Sequence, residues 1–312
     1  MENMLISINA VLPMFLIIAL GFWIGQKHML SAEALRQANG MCFKVFMSVL
    51  MFYNVYTSDP GGSFNPRLLA FCVVGPLAEF FLASLLVPRV ISAPPVRGVV
   101  TQALFRTNVV LLGIPIVSSL FGPESAGQMS VVLSFVVPLV NILAVVTLEM
   151  HRGGTPDARK ILRGAVTNPL VLGSAAGMAA LVLGIRLPTA LESAAKSLAN
   201  AATPLALVLM GATLDLKRLK SSVRLLTVCV ALRLVVLPAL AVALAVALGF
   251  RGIQLGAILL VFAAPVAVNS YTMALQMDGD ADLAGGIVLL TTGLSCVTLF
   301  LWVWLLKCLA LF

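Results

Sequence analysis

A few polar side chains stand where this chain is otherwise apolar, and their chemistry is that of binding rather than bond breaking. One apolar run carries Arg106-Thr107-Asn108-Val109-Val110-Leu111-Leu112-Gly113-Ile114-Pro115. Another carries Phe262-Ala263-Ala264-Pro265-Val266-Ala267-Val268-Asn269-Ser270-Tyr271. Each places a proline near the middle of the run, with an asparagine within seven residues. Proline removes a backbone donor and displaces the carbonyl partner four residues earlier. Both runs are therefore expected to break as helices at Pro115 and Pro265. Half-helix N-termini offer free N–H groups and a positive dipole end, which suit a carboxylate. Asn108 and Asn269 add side-chain donors and acceptors, and Arg106 adds a cation. The bland reading of each run, an ordinary kink with its asparagine packed between helices, is outweighed by their matched placement.

Hydrolytic chemistry lacks its parts. A metalloprotease needs a His-Glu-x-x-His pair, and a serine hydrolase needs a positioned base. The two histidines, His28 and His151, fall in polar connections. Asp278, Asp280 and Asp282 share a short polar stretch without the glycine and terminal glutamate of a calcium loop, so they read as a solvated turn. The five cysteines are scattered and form no Cys-x-x-Cys, which describes reduced thiols rather than a metal site. Neither an enzyme nor a cofactor is expected.

The elements that position these residues follow from composition. The chain has 312 residues, of which 61% are hydrophobic and 10% charged. A soluble domain has about 45–50% and about 25%. Such a chain is solvated by lipid. Its net charge of +8 comes from short basic runs between apolar segments, which encode membrane topology rather than a nucleic-acid surface.

A bilayer core about 30 Å thick takes roughly 20 apolar helical residues. Ten candidate spans fit: Leu5–Ile24, Met41–Tyr56, Leu68–Val87, Val99–Leu120, Gln128–Leu148, Leu170–Ile185, Leu198–Leu214, Val223–Gly249, Ile253–Leu275 and Leu283–Ala310. The first has no basic start and no small-residue cleavage site, so it is read as a span rather than a signal peptide. Twelve Lys and Arg, from Lys27 to Arg224 and including Lys217, Arg218 and Lys220, fall on one side of the resulting topology. Five (Arg67, Arg186, Lys196, Arg251, Lys307) fall on the other. The positive-inside rule makes the first side cytoplasmic and puts both termini outside.

The basic connection at 151–163 divides the spans into two sets of five, residues 1–150 and 164–312. An odd number per half inserts the second half upside down, the inverted-repeat arrangement of many secondary transporters. Pro13 and Pro169 echo this at a separation of 156, as do Gly21 and Gly177. At that offset Glu79 falls two residues from Arg233. Charges inside a membrane are costly and face a partner or a cavity, which leaves two readings of this pair. It is either a structural ion pair or a proton- or cation-linked support for the crossing. Arg106 likewise either holds an anion at the cytoplasmic mouth or snorkels to lipid phosphates.

In these stretches the chain resembles the auxin efflux carrier family in its short bacterial form. The likeness lies in Leu12-Pro13 with Gly21, Asn108 through Gly113-Ile114-Pro115, Thr167-Asn168-Pro169-Leu170, Thr203-Pro204-Leu205 with Met210-Gly211-Ala212, and Pro265 through Asn269-Ser270-Tyr271. It runs over essentially the whole chain and in order. The resemblance implies a secondary permease for a small organic anion, such as auxin in plants and malonate or malate in bacteria. It also implies a fold similar to bile-acid sodium symporters. Spans one, two, six and seven would form a scaffold, and the other six an elevator-type transport domain. The substrate would lie where spans four and nine cross, at Asn108, Gly113, Ile114 and Pro115 and at Pro265, Asn269 and Tyr271. Sodium-coupled relatives of the fold use acids and amides on the ninth span. This one has Asn269 and Gln276 but no acid before Asp278, so the expected coupling ion is H+ rather than Na+.

The expectation is therefore an all-α polytopic membrane protein with two inverted repeats of five helices, working by alternating access. It would sit in the bacterial inner membrane, with the lipid bilayer, the organic anion and a homodimer through the scaffold as partners, and no nucleic acid. A channel or a carboxylate sensor is the competing reading, although a sensor would be expected to show a soluble output domain.

Overall fold

The computed structural model describes residues 2–58, 65–152, 158–215 and 222–312. The basic residues Lys217, Arg218 and Lys220 lie outside them. The described chain is helical, and its sole extended pairing is a single bridge considered below. The helices are α1 (Glu2–Gln26), α2 (Ala32–Met41), α3 (Ser48–Tyr56), α4 (Pro66–Val90), α5 (Pro94–Phe105), α6 (Val109–Phe121), α7 (Ala126–Met150) and α8 (Ala158–Thr167). Then come α9 (Pro169–Val182), α10 (Thr189–Thr213), α11 (Val223–Ala231), α12 (Leu237–Ala247), α13 (Gly252–Ala263), α14 (Asn269–Gln276) and α15 (Ala281–Cys308). Each of the ten predicted apolar segments is occupied by helix.

Four helical segments among the described residues are long and apolar enough to cross a membrane: Pro66–Val90, Pro123–Met150, Val223–Ala247 and Ala281–Cys308. Their mean hydropathies run from 2.0 to 2.6. A fifth forms if α8 and α9, bent by 59° at Asn168, count together. Large apolar side chains face outward, with Phe81 66%, Leu240 63% and Trp304 57% exposed. Patches of that kind mark a lipid-facing surface.

Helix ends follow from local chemistry. Asn65 accepts from the backbone N–H of Arg67 and Leu68, and Pro66 takes the first helical position, where no amide hydrogen is needed. Asn168 and Pro169 repeat the device for α9, and Asp280 caps α15 through Leu283 N. The connection predicted as plain polar chain at 151–163 contains most of α8. Its residues Ile161, Leu162, Ala165 and Val166 recur at helical spacing, which makes it amphipathic.

Two π-turns interrupt otherwise continuous helices. Cys42–Met47 joins α2 to α3, and Leu232–Val236 joins α11 to α12. The second precedes Pro238, which has no N–H for the carbonyl of Leu234. The indole Nε1 of Trp302 on α15 donates to that carbonyl at 3.0 Å. Trp302→Phe strands a buried carbonyl, and unfolding measurements should show a loss of about 1–3 kcal/mol.

Backbones approach closely in two places. A Cβ on Gly21 would lie 2.2 Å from the carbonyl oxygen of Val208, so α1 and α10 touch main chain to main chain. A Cβ on Gly177 would lie 2.5 Å from the carbonyl oxygen of Phe52, between α9 and α3. Gly21 and Gly177 are 156 residues apart, and so are their partners Phe52 and Val208. The centre of the molecule belongs to α5 and α13. Every residue of α13 from Leu255 to Ala263 is buried, as a helix apolar on all sides must be.

Candidate anion site at two helix breaks

The fourth apolar run is broken between α5 and α6, and the ninth between α13 and α14. The breaks touch. Thr107 and Val266 form an antiparallel bridge, and Asn108 N donates to the Pro265 carbonyl at 2.7 Å. Thr291 on α15 supports the second break by accepting from Val266 N at 3.2 Å. Backbone groups that would be costly in lipid thus satisfy one another inside the protein.

The first break is not where the proline predicted it. Pro115 lies within α6, which runs unbroken from Val109 to Phe121. The helix stops instead at Arg106–Asn108, where Asn108 takes φ −89° and ψ 43° and its N–H is claimed by the other break. A single lost helical bond is tolerated at Pro115, whereas pairing across the crossing needs extended backbone at 106–108. At the second break Pro265 itself contributes the accepting carbonyl.

The N-termini of α6 and α14 border a cavity of about 230 Å³. Arg106, Thr107, Asn108, Asn269, Asn54 and Asn141 supply its polar lining, and Thr203 on α10 adds a hydroxyl. Arg106 is 1% exposed. Its Nη2 donates to Asn141 Oδ1 at 2.6 Å and its Nη1 to Met273 Sδ, itself buried. It has no carboxylate partner among the described residues. The buried Nδ2 of Asn108 has no hydrogen-bond acceptor among the described residues. The site therefore combines a buried cation, an unpartnered amide donor and, among the described residues, no carboxylate, which favours a bound anion.

A second cavity of about 240 Å³ adjoins the first, sharing Asn54, Val110 and Val137, and continues past Ser134 to Thr57 and Ser58. Ile114 lines this extension. Gly113 lines neither cavity. A Cβ there would lie 2.5 Å from Met129 Cε, so this glycine lets α6 pack on α7. Tyr271 lies away from the anion cavity. Its hydroxyl is hydrogen-bonded to Thr213 on α10, and it borders a separate cavity with Asp280 and Asp282. Gln276 is half-buried near Gly40, remote from the crossing. Asn54, Asn141 and Thr291 were missed from the sequence, and Thr203, quoted there in a family motif, was not placed in the site. The available signal was an amide or hydroxyl inside an apolar run, the same signal that exposed Asn108.

Behind the crossing, Arg233 is 0% exposed in the π-turn between α11 and α12. It pairs with Glu79 Oε2 at 3.7 Å. Toward the expected cytoplasmic face, Arg152 joins the end of α7 to the Asp278 turn at 2.8 Å and pairs with Glu149 at 3.3 Å. The hydrogen bond that Arg152 donates to Asp278 holds its guanidinium above the ordinary pKa.

A family model described as "Membrane transport protein" matches residues 6–303. A protein of Methanothermobacter thermautotrophicus, described as an uncharacterized transporter, is 26% identical over 314 residues. The alignment covers 95% of this chain and 97% of that one.

Proposed function

Because this chain belongs to the membrane transport protein family, that of the auxin efflux carriers, we propose that it is a secondary permease for a small organic anion. It is an integral membrane transporter and not an enzyme. The anion is a mono- or dicarboxylate such as malonate, malate or an auxin-like acid. The observation that carries this reading is Arg106, a buried cation without a carboxylate partner among the described residues, beside the N-termini of α6 and α14 at the edge of a cavity. A guanidinium in that setting is completed by a carboxylate that accepts two parallel N–H bonds. Asn108 Nδ2 and the helix N-termini take the remaining oxygen lone pairs.

The mechanism is alternating access. Ten spans form two inverted repeats of five with both termini outside, in the inner membrane of a bacterial cell. The repeated glycine contact, Gly21 on Val208 and Gly177 on Phe52, supports both the inversion and a rigid scaffold of spans one, two, six and seven. The remaining spans carry the crossing as an elevator, and a homodimer through the scaffold anchors them. In that topology the adjoining cavity runs from the anion site toward the outer ends of α3 and α6. The Thr213–Tyr271 contact closes the inner side between scaffold and transport domain. H+ is the coupling ion, with Glu79 as its carrier.

Thermal unfolding of the purified protein tests this, against a panel of mono- and dicarboxylates at two pH values, with and without sodium. A ligand that binds the folded state raises apparent stability by mass action. One carboxylate should raise the melting temperature, more at the lower pH and equally with or without sodium. In Asn108→Ala the same ligand should bind about tenfold more weakly, the loss of one hydrogen bond to a charged group, with the unliganded melting temperature little changed. A folded protein that responds to no carboxylate, or Asn108→Ala with unchanged affinity, overturns the assignment.

A further inference from the structure

The side of the crossing away from the anion cavity collects oxygen atoms. Helices α5 and α13 both end there, and the last carbonyls of a helix have no intrahelical donor and carry the negative end of its dipole. Among these orphans are the carbonyls of Leu104 and Val261, followed by that of Ala264 in the break itself. The Glu79 carboxylate on α4 adds an anionic oxygen. Three carbonyls and a carboxylate around one guanidinium-sized point are the kind of oxygen ligands that alkali cations take. Here the point is filled by the guanidinium of Arg233. Its Nη1 donates to Leu104 O at 2.7 Å, its Nε to Ala264 O at 3.4 Å and its Nη2 to Val261 O at 3.5 Å, with Glu79 at 3.7 Å. One side chain thus neutralises the ends of both broken helices.

We infer that Arg233 is the resident cation of the crossing, held in an oxygen cage that binds a monovalent metal ion once the side chain is removed. The chain carries its counter-charge covalently, from a third helix, so the wild-type crossing needs no metal ion to hold its two breaks together. Arg233 acts as a positioning residue, since it touches the two half-helices and not the anion cavity. The π-turn at Leu232–Val236 supplies the local geometry, placing Arg233 inward from an otherwise regular helix. This inference goes beyond the transport reading and is tested on stability alone. A substrate panel without hits leaves it standing, and its own failure leaves the anion site standing.

The experiment compares melting temperatures of the full chain and of Arg233→Ala and Arg233→Lys in sodium, potassium and choline chloride at equal concentration, and with millimolar guanidinium added. Wild type should melt at the same temperature in all. Arg233→Ala, which leaves Glu79 and three carbonyls unpaired, should melt about 10 °C lower in choline chloride. Sodium, potassium or guanidinium should recover at least half of that drop. Arg233→Lys, which keeps a cation in the cage, should fold and remain indifferent to the salt. The double variant Glu79→Gln/Arg233→Met, with neither charge, should lose the cation response. An Arg233→Ala protein as stable as wild type overturns the inference. So does one recovered by no cation, and so does an Arg233→Lys protein that falls as far as the alanine variant. Should Arg233→Ala fail to fold, the lysine and double variants decide by the same criteria.

Discussion

Arg106→Gln should abolish carboxylate binding while making the empty protein more stable. The two effects have opposite signs for one reason. Among the described residues the guanidinium, 1% exposed, is met by Asn141 Oδ1 and a thioether sulfur and by no carboxylate. Burial of a charge without a counter-charge costs several kcal/mol. Glutamine removes that cost and can still donate to Asn141, so the melting temperature without ligand should rise. A carboxylate entering the glutamine variant meets a cavity without that cation. Losing one partner of a buried charge pair costs about 2–5 kcal/mol, or roughly 30- to several-thousand-fold in affinity. Titration of the responsive carboxylate, followed by thermal shift or calorimetry, measures both quantities. If Arg106 were only a packing residue, glutamine would lower the stability of the empty protein and leave affinity almost unchanged. Arg106→Lys should bind more weakly than wild type, because an ammonium cannot reproduce the flat two-donor fork.

Gly21→Ala carries the largest expected structural effect. The added methyl would stand 2.2 Å from the Val208 carbonyl oxygen and 2.9 Å from its carbonyl carbon and Cα. Main chain cannot rotate away as a side-chain tip can, so α1 and α10 must separate along this face. Overpacking costs about 1–3 kcal/mol where side chains yield, and the rigid contact here belongs at the upper end or beyond. Gly177→Ala, 2.5 Å from the Phe52 carbonyl oxygen, should lose a similar amount. Gly127→Ala is the control, because nothing lies within 4 Å of its added methyl. Helix propensity there favours alanine by about 0.5–1 kcal/mol. Folded yield and melting temperature in detergent rank the three. Equal stability of Gly21→Ala and Gly127→Ala would show that the helices are free to slide apart.

What the amino-acid order disclosed depends on how local the cause is. Apolar runs report their own burial, so all ten segments coincide with helix. Proline and asparagine at 168–169 write a helix start that needs no partner. The break in the fourth run is different. Pro115 is the local signal for it, yet α6 passes through that residue intact. The chain opens at Arg106–Asn108 because the Pro265 carbonyl stands across from Asn108 N, and that partner is 157 residues away. Glu79 and Arg233 were legible as a pair from their matched depth. That Arg233 also reaches Leu104, Val261 and Ala264 was not, since backbone carbonyls leave no trace in residue type. Asn54 and Asn141 went unnoticed for a similar reason. A lone amide or hydroxyl in an apolar helix is commonplace, and only the folded chain aims it at a shared cavity.

The uncompensated guanidinium of Arg106 has an electrical consequence. In an elevator the crossing moves through the voltage across the bilayer, and Glu79 and Arg233 cancel as they go. With Glu79 ionised, Arg106 alone is left, so the empty carrier moves one positive charge, a carrier loaded with a monoanion none and one loaded with a dianion a negative charge, and a proton on Glu79 adds one positive charge to each. Each charge carried fully across 100 mV gains or loses about 2.3 kcal/mol. With Glu79 ionised, a cell interior held negative would then draw the vacant site inward, leave monoanion transfer indifferent to voltage, and oppose the inward passage of a dianion. The valence of the cargo would thus select which half of the cycle the membrane potential drives.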